Sequence, residues 1–141
     1  MVADKTLERD NFTLKYPGRY ELQISKNSYA SLSSWILITH QALGFGQASK
    51  ISISIANLNS GGIKEESAYK QAEAFPENYG ISNETYSGEQ VTILERSDPS
   101  YEKTILWPHN GLILTISLTS AEKTDSYIQE LGAILQSVDW Q

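Results

Sequence analysis

The sequence predicts an α+β fold, an antiparallel β-sheet combined with α-helices. Three observations predict it. Apolar and polar residues alternate in several short segments, the period of a half-buried strand. Two longer segments carry apolar residues at helical spacing instead. Most connections between the strand segments are too short for a parallel crossover, so neighbouring strands must run antiparallel.

Phe12, Leu14 and Tyr16 alternate with Thr13 and Lys15, and Pro17-Gly18 turns the chain. Tyr20, Leu22 and Ile24 alternate again, so the chain is expected to open with a hairpin. Asn27 to Ser34 is a polar connection, and Trp35-Ile36-Leu37-Ile38-Thr39 is an almost wholly apolar strand of the kind covered on both faces. After a Gly-containing loop, Ile51, Ile53 and Ile55 alternate with serines, and Asn59-Ser60-Gly61-Gly62 ends that strand. Ile63, Ala68, Tyr69, Ala72 and Phe75 then form a helical stripe, which Pro76 stops.

Strands over 84–86 and 91–94 flank Ser87-Gly88, a hairpin turn. A further turn spans 97–100. Strands over 101–107 and 112–118 meet across Pro108-His109-Asn110-Gly111, where Asn-Gly is a strong hairpin signal. Thr119-Ser120-Ala121-Glu122 has the form of a capping box. Tyr127, Ile128, Leu131, Ile134, Leu135 and Val138 follow on one helical face. No low-complexity linker divides the chain, and residues 1–141 are expected to form one domain.

Composition excludes several function classes. Forty per cent of the 141 residues are apolar and 20% charged, the balance of a folded globular chain. The net charge of −6 argues against a nucleic-acid partner, whose phosphates need clustered Lys and Arg. There are no cysteines, so disulfides, thiolate metal sites and thiol nucleophiles are ruled out. The longest apolar runs are about four residues, far short of the ~18 that span a membrane. The charge is uneven: residues 1–60 hold six bases and four acids, and residues 61–141 five bases and thirteen acids. The acidic half reads as solvated helix faces, and any electrostatic role belongs there.

The element order, with certain residues, resembles the PsbP-like domains: the photosystem II extrinsic protein, its bacterial lipoprotein relatives and a related import factor that binds Ran. The matching pieces begin with Asn11-Phe12-Thr13-Leu14-Lys15-Tyr16-Pro17, similar to the family's opening strand ending in Tyr-Pro. Tyr20 stands about where many members carry Trp, and Gly88 matches a hairpin glycine. Leu114-Thr115-Ile116-Ser117-Leu118-Thr119-Ser120 and the helix ending Ile134-Leu135-Gln136-Ser137-Val138 resemble the closing strand and helix. The chain departs from the family at Gly18-Arg19-Tyr20, where a Pro/Ser-Gly-Trp pattern is more usual. The resemblance implies an antiparallel β-sheet flanked by α-helices, an α/β/α sandwich. It implies no activity, since the family includes accessory, scaffolding and binding proteins.

Catalytic signatures are absent from the sequence. His40 and His109 have no His-x-x-x-His partner or similar ligand spacing, and read as strand-end or surface residues. Gly44-Phe45-Gly46 precedes a strand rather than opening a helix, so it lacks the physics of a dinucleotide loop. No Gly-x-Ser-x-Gly elbow occurs. No metal or cofactor is expected. Trp107 stands near a hairpin tip, where an indole packs under the hairpin or, as the competing reading, anchors a partner. Glu95 and Asp98, by the neighbouring turn, are expected at the same end of the sheet as Trp107 and His109. These four residues form the candidate binding site.

The leading expectation is therefore a non-enzymatic binding or accessory domain of an exported, extracytoplasmic protein tethered to a membrane, monomer or homodimer, that takes a protein partner or small ligand. Met1-Val2-Ala3-Asp4-Lys5 lacks the apolar core of a signal peptide, so export would require an upstream leader and a membrane tether outside this sequence. A cytoplasmic chaperone or adaptor holding apolar client segments is the alternative. A small carboxylate-based hydrolase is the third, and it requires a pocket holding two acids.

Overall fold

The computed structural model describes residues 4–9, 11–18, 20–24, 31–39, 50–97 and 100–140, with backbone alone for 23, 24 and 31–39. The chain runs β1 (Lys5–Glu8), β2 (Phe12–Tyr16), β3 (Tyr20–Ile24), β4 (Ser31–Thr39), β5 (Lys50–Asn57), a 3₁₀ turn (Ile63–Glu65) and α1 (Ser67–Ala74). It continues with β6 (Tyr79–Tyr86), β7 (Glu89–Arg96), β8 (Tyr101–His109), β9 (Leu112–Ser120), α2 (Asp125–Gln136) and β10 (Asp139–Trp140). His40, Asp98, the Gly-containing loop 41–49 and the connection 27–30 lie outside the described residues, as do the side chains of the Trp35 strand.

Among the described residues, seven strands form one antiparallel sheet in the order β3-β4-β5-β9-β8-β7-β6, and β1-β2-β10 form a second, smaller one. The fold is α+β with antiparallel sheets. Alternation divides the large sheet into two faces. Ile51, Ile53 and Ile55 of β5, Leu114, Ile116 and Leu118 of β9, and Ile105 and Trp107 of β8 point to one side. There they pack with Phe12 and Leu14 of β2 and with Leu131, Ile134 and Leu135 of α2. Leu94, Leu106 and Ile113 point to the other side, where Ala72 of α1 joins them and Ala68, Tyr69 and Ile63 pack around. The helices thus lie on opposite faces of the sheet.

Three expectations change. The opening hairpin does not form: β2 pairs with β1 and β10, whereas β3 pairs with β4. The Tyr20 N–H donates to the Pro17 carbonyl at 3.0 Å, closing a turn that carries the chain around a corner between the sheets. The corner lets Phe12, Leu14 and Tyr16 in one sheet and Tyr20 in the other reach the same core. The capping box also fails. Thr119 and Ser120 pair in β9 with Glu102 and Tyr101 of β8, so ladder bonds take precedence over helix initiation. α2 starts at Asp125, and the Thr124 hydroxyl donates to the Glu122 carbonyl instead of capping an amide. Finally, the first helix is split, because Glu66 adopts extended backbone between the 3₁₀ turn and α1.

Candidate functional site

Two tight hairpins define one end of the large sheet. Ser87 and Gly88 (φ 52° and 79°) join β6 to β7, and Asn110 and Gly111 (φ 48° and 77°) join β8 to β9. Positive φ at both central residues gives turns whose twist matches that of the strands, as both sequences predict. β7 and β8 pair from Thr92–Leu106 to Arg96–Glu102. In that register Pro108, with no N–H to give, falls beyond the last pair, and Glu89 comes opposite His109.

Their side chains meet. The two Glu89 carboxylate oxygens lie 2.8 and 2.9 Å from His109 Nδ1, and the Trp107 indole N–H donates to the same carboxylate at 3.3 Å. The imidazole stacks on Trp140 at 4.2 Å between centroids, 12° from parallel. Trp140 in turn meets Trp107 and Phe12 edge-on at 5.8 and 5.9 Å. The Asn110 amide stands 3.3 Å from His109 Nε2. Both ring nitrogens are therefore engaged and one face is covered. The arrangement holds an imidazole in place and clips the C-terminal strand β10 onto the sheet end.

Trp107 is fully buried and packs beneath the hairpin rather than offering an exposed anchor. His109 keeps a partly exposed edge. Glu95 is not at this end. It pairs with Lys103, four residues before Trp107 along β8, about 13 Å away at roughly 3.3 Å per residue. The nine-residue length of β8 puts the turn before Tyr101 and the turn after His109 at opposite ends of the sheet, and this corrects the expected grouping.

At that other end, Glu95 accepts a 2.5 Å hydrogen bond from the Tyr101 hydroxyl and faces Lys123 at 3.8 Å. Burial, reinforced by the bond to Glu95, raises the Tyr101 hydroxyl well above the ordinary tyrosine range. Glu95 borders a shallow polar depression of about 430 Å³ with Glu77, Asn78, Tyr79, Gly80 and Ser97.

A third site has no signal in the sequence. A cleft of about 420 Å³ runs between β2 and α2, lined by Lys15, Tyr16 and Pro17 on one wall and Gln129, Glu130 and Ala133 on the other. Glu130 accepts from the Tyr20 hydroxyl at 3.2 Å, and the Lys15 N–H donates to Ser137 Oγ at 2.8 Å. Glu89, too, was missed. The hairpin turns set Glu89 opposite Tyr86 and His109 opposite Leu112, but the pairing of β7 with β8, which brings Glu89 opposite His109, is fixed by neither turn.

No metal-binding group of three or more His, Asp or Glu occurs among the described residues. No helix among them is long and apolar enough to cross a membrane.

No protein-family model matches the sequence, and no curated protein matches it. Solved structures match in fold. The cyanobacterial PsbP (CyanoP) of Synechocystis superposes with a TM-score of 0.66 at 12% identity, over 100% of this chain and 94% of that one. The Ran-binding protein Mog1p of Saccharomyces cerevisiae gives 0.60 at 10%, over 99% and 96%. LpqN of Mycobacterium tuberculosis, involved in cell envelope biogenesis, gives 0.50 at 12%, over 99% and 91%. The chain has the PsbP-like fold from end to end.

Proposed function

We propose that the chain is a non-enzymatic binding or accessory domain of an exported protein, tethered to a membrane by a segment outside this sequence. The observation that carries this reading is the likeness of the whole chain to a Ran-binding protein and to a cell-envelope protein. The side-chain chemistry supports it. Glu89 is held by His109 and Trp107, Glu95 by Tyr101 and Lys123, and Glu84 by Tyr86. A carboxylate hydrolase needs acids aimed into a pocket. Acids do border the depressions, Glu77 with Glu95 at one and Asp4 with Glu130 at the other, but Glu95 and Glu130 are each hydrogen-bonded to a tyrosine hydroxyl, Tyr101 and Tyr20.

The surfaces for binding are the β2–α2 cleft, whose volume is in the range of small-ligand sites, and the two sheet ends. At the ends, His109 and Glu95 supply polar edges, while Trp107 acts as a buried support.

In-cell photo-crosslinking of the full-length protein tests the reading. A crosslinking residue is placed at Gln129 on the cleft, at Asn83 on the sheet and at Glu73 on the outer surface of α1. A discrete crosslinked species from Gln129 or Asn83, with none from Glu73, is expected. No crosslink at any position would overturn the binding role. Cell fractionation tests the tether: recovery with the membrane is expected, and recovery in the cytosol would favour the adaptor alternative.

A further inference from the structure

Among the described residues, β6 pairs with β7 alone and forms one edge of the large sheet. The edge is long, eight residues, and its pairing with β7 is continuous from Tyr79–Arg96 to Tyr86–Glu89 with no bulge. Six of its residues are exposed and the two end tyrosines half-buried, so nothing described covers it. Sheet proteins usually guard such an edge with Lys, Pro, a bulge or a covering helix, since its free N–H and C=O groups accept another strand. β6 (Tyr-Gly-Ile-Ser-Asn-Glu-Thr-Tyr) has neither Lys nor Pro.

The surroundings have a chemical character. Ile81 pairs with Leu94 and so lies on the α1 face, and Phe75 ends α1 just before β6. They are the large exposed hydrophobics among the described residues, at 40% and 48%. Glu77 lies between them in sequence, and Glu84, opposite Val91, stands on the other face of β6. The nearby bases are engaged: Lys70 pairs with Glu65 at 2.9 Å, and Arg96 with Glu102 at 3.5 Å. The edge thus offers backbone bonds, an apolar foothold and unbalanced negative charge.

We propose that β6 takes an extended basic segment of a partner protein as an added strand, with apolar side chains toward Phe75 and Ile81 and Lys or Arg beside Glu77 and Glu84. Strand addition draws affinity from main-chain bonds and specificity from alternate side chains. A second copy of this chain fits less well, because its β6 brings no Lys or Arg to stand beside Glu77 and Glu84. The proposal rests on the binding-domain reading and names the partner's chemistry.

The test uses the whole chain and an end-capped eight-residue peptide of alternating Lys and Val, followed by NMR amide shifts and hydrogen exchange. Binding is expected to shift and protect β6 amides. Ile81→Lys, an exposed position, should weaken it at least tenfold, and Glu8→Lys on the smaller sheet should leave it within twofold. Equal binding of an alternating Glu and Val peptide, or shifts confined to other elements, would overturn the proposal. So would a chain dimer that Ile81→Lys dissociates, which would assign the edge to a second copy. Absence of peptide binding with a Gln129 crosslink retained would remove the edge site and leave the binding-domain reading standing. Loss of every crosslink would remove that reading itself.

Discussion

The two faces of the large sheet are unequal. On one face, β5, β8 and β9 meet α2 and the small sheet in a continuous core that includes Trp107, Tyr101, Phe12 and Tyr20. On the other, the fully buried set is Ala72, Leu94, Leu106 and Ile113, under a helix of eight residues. Burial of each large apolar side chain is worth roughly 1.5–3 kcal/mol, so the α2 face carries most of the stability. The α1 face and its neighbouring edge β6 are held more lightly, as surfaces that meet partners often are.

The largest effect is expected at the centre of the strong face. Trp107→Ala removes a fully buried indole with ring contacts to Tyr86 and Trp140, and should cost roughly 3–5 kcal/mol in denaturant unfolding. A loss below about 1 kcal/mol would mean that Trp107 is not a core residue. Next comes Glu89→Gln, which weakens the bonds to His109 and Trp107. About 1–3 kcal/mol is expected, with disturbed fluorescence from the Trp107–Trp140 pair. An unchanged spectrum and midpoint would show that the Glu89 clip is incidental.

Alkaline pH probes the same face differently. Burial first, and then the Glu84 carboxylate, pushes the Tyr86 hydroxyl up to about 12 from an ordinary 10.0. Tyr101 is raised for the same reasons, with Glu95 in the role of Glu84. The folded chain holds these phenolic protons more tightly than the unfolded chain. Their contribution is complete below pH 10 and declines between pH 10 and about 12, as tyrosines in the unfolded chain ionise first. Tyr86→Phe should flatten that decline, measured as unfolding midpoint against pH. The smallest effect belongs to the weak face. Ile81→Lys should alter stability by no more than about 0.5 kcal/mol, since the side chain is already in solvent.

Much of the fold was legible in the sequence because period and turn chemistry are local. Ile51, Ile53 and Ile55 form a strand with one buried face, and Asn110-Gly111 turns as its residues require. Sheet membership was not legible. Phe12, Leu14 and Tyr16 alternate like Tyr20 and Leu22, and alternation tells which side chains point inward but not which strand lies alongside. β1 escaped notice because Leu7 is its one buried residue. β10 escaped because two residues have no period. The site was partly legible. Trp107 and His109 do meet, but through Glu89. Glu95 was placed by its nearness in sequence to a turn, and a nine-residue strand separates that turn from the other.

Native-state hydrogen exchange on the wild-type chain and on Leu131→Ala tests the inequality of the faces most directly. Leu131 is buried in the α2 core, and its loss should cost roughly 2–5 kcal/mol. The account predicts that the slowest amides, in β5, β8 and β9, lose protection by that full amount. Amides of α1 and β6 should open locally at lower free energy and change little. Equal loss across α1, β6 and β9 would contradict it, because the two faces would then unfold as one cooperative unit.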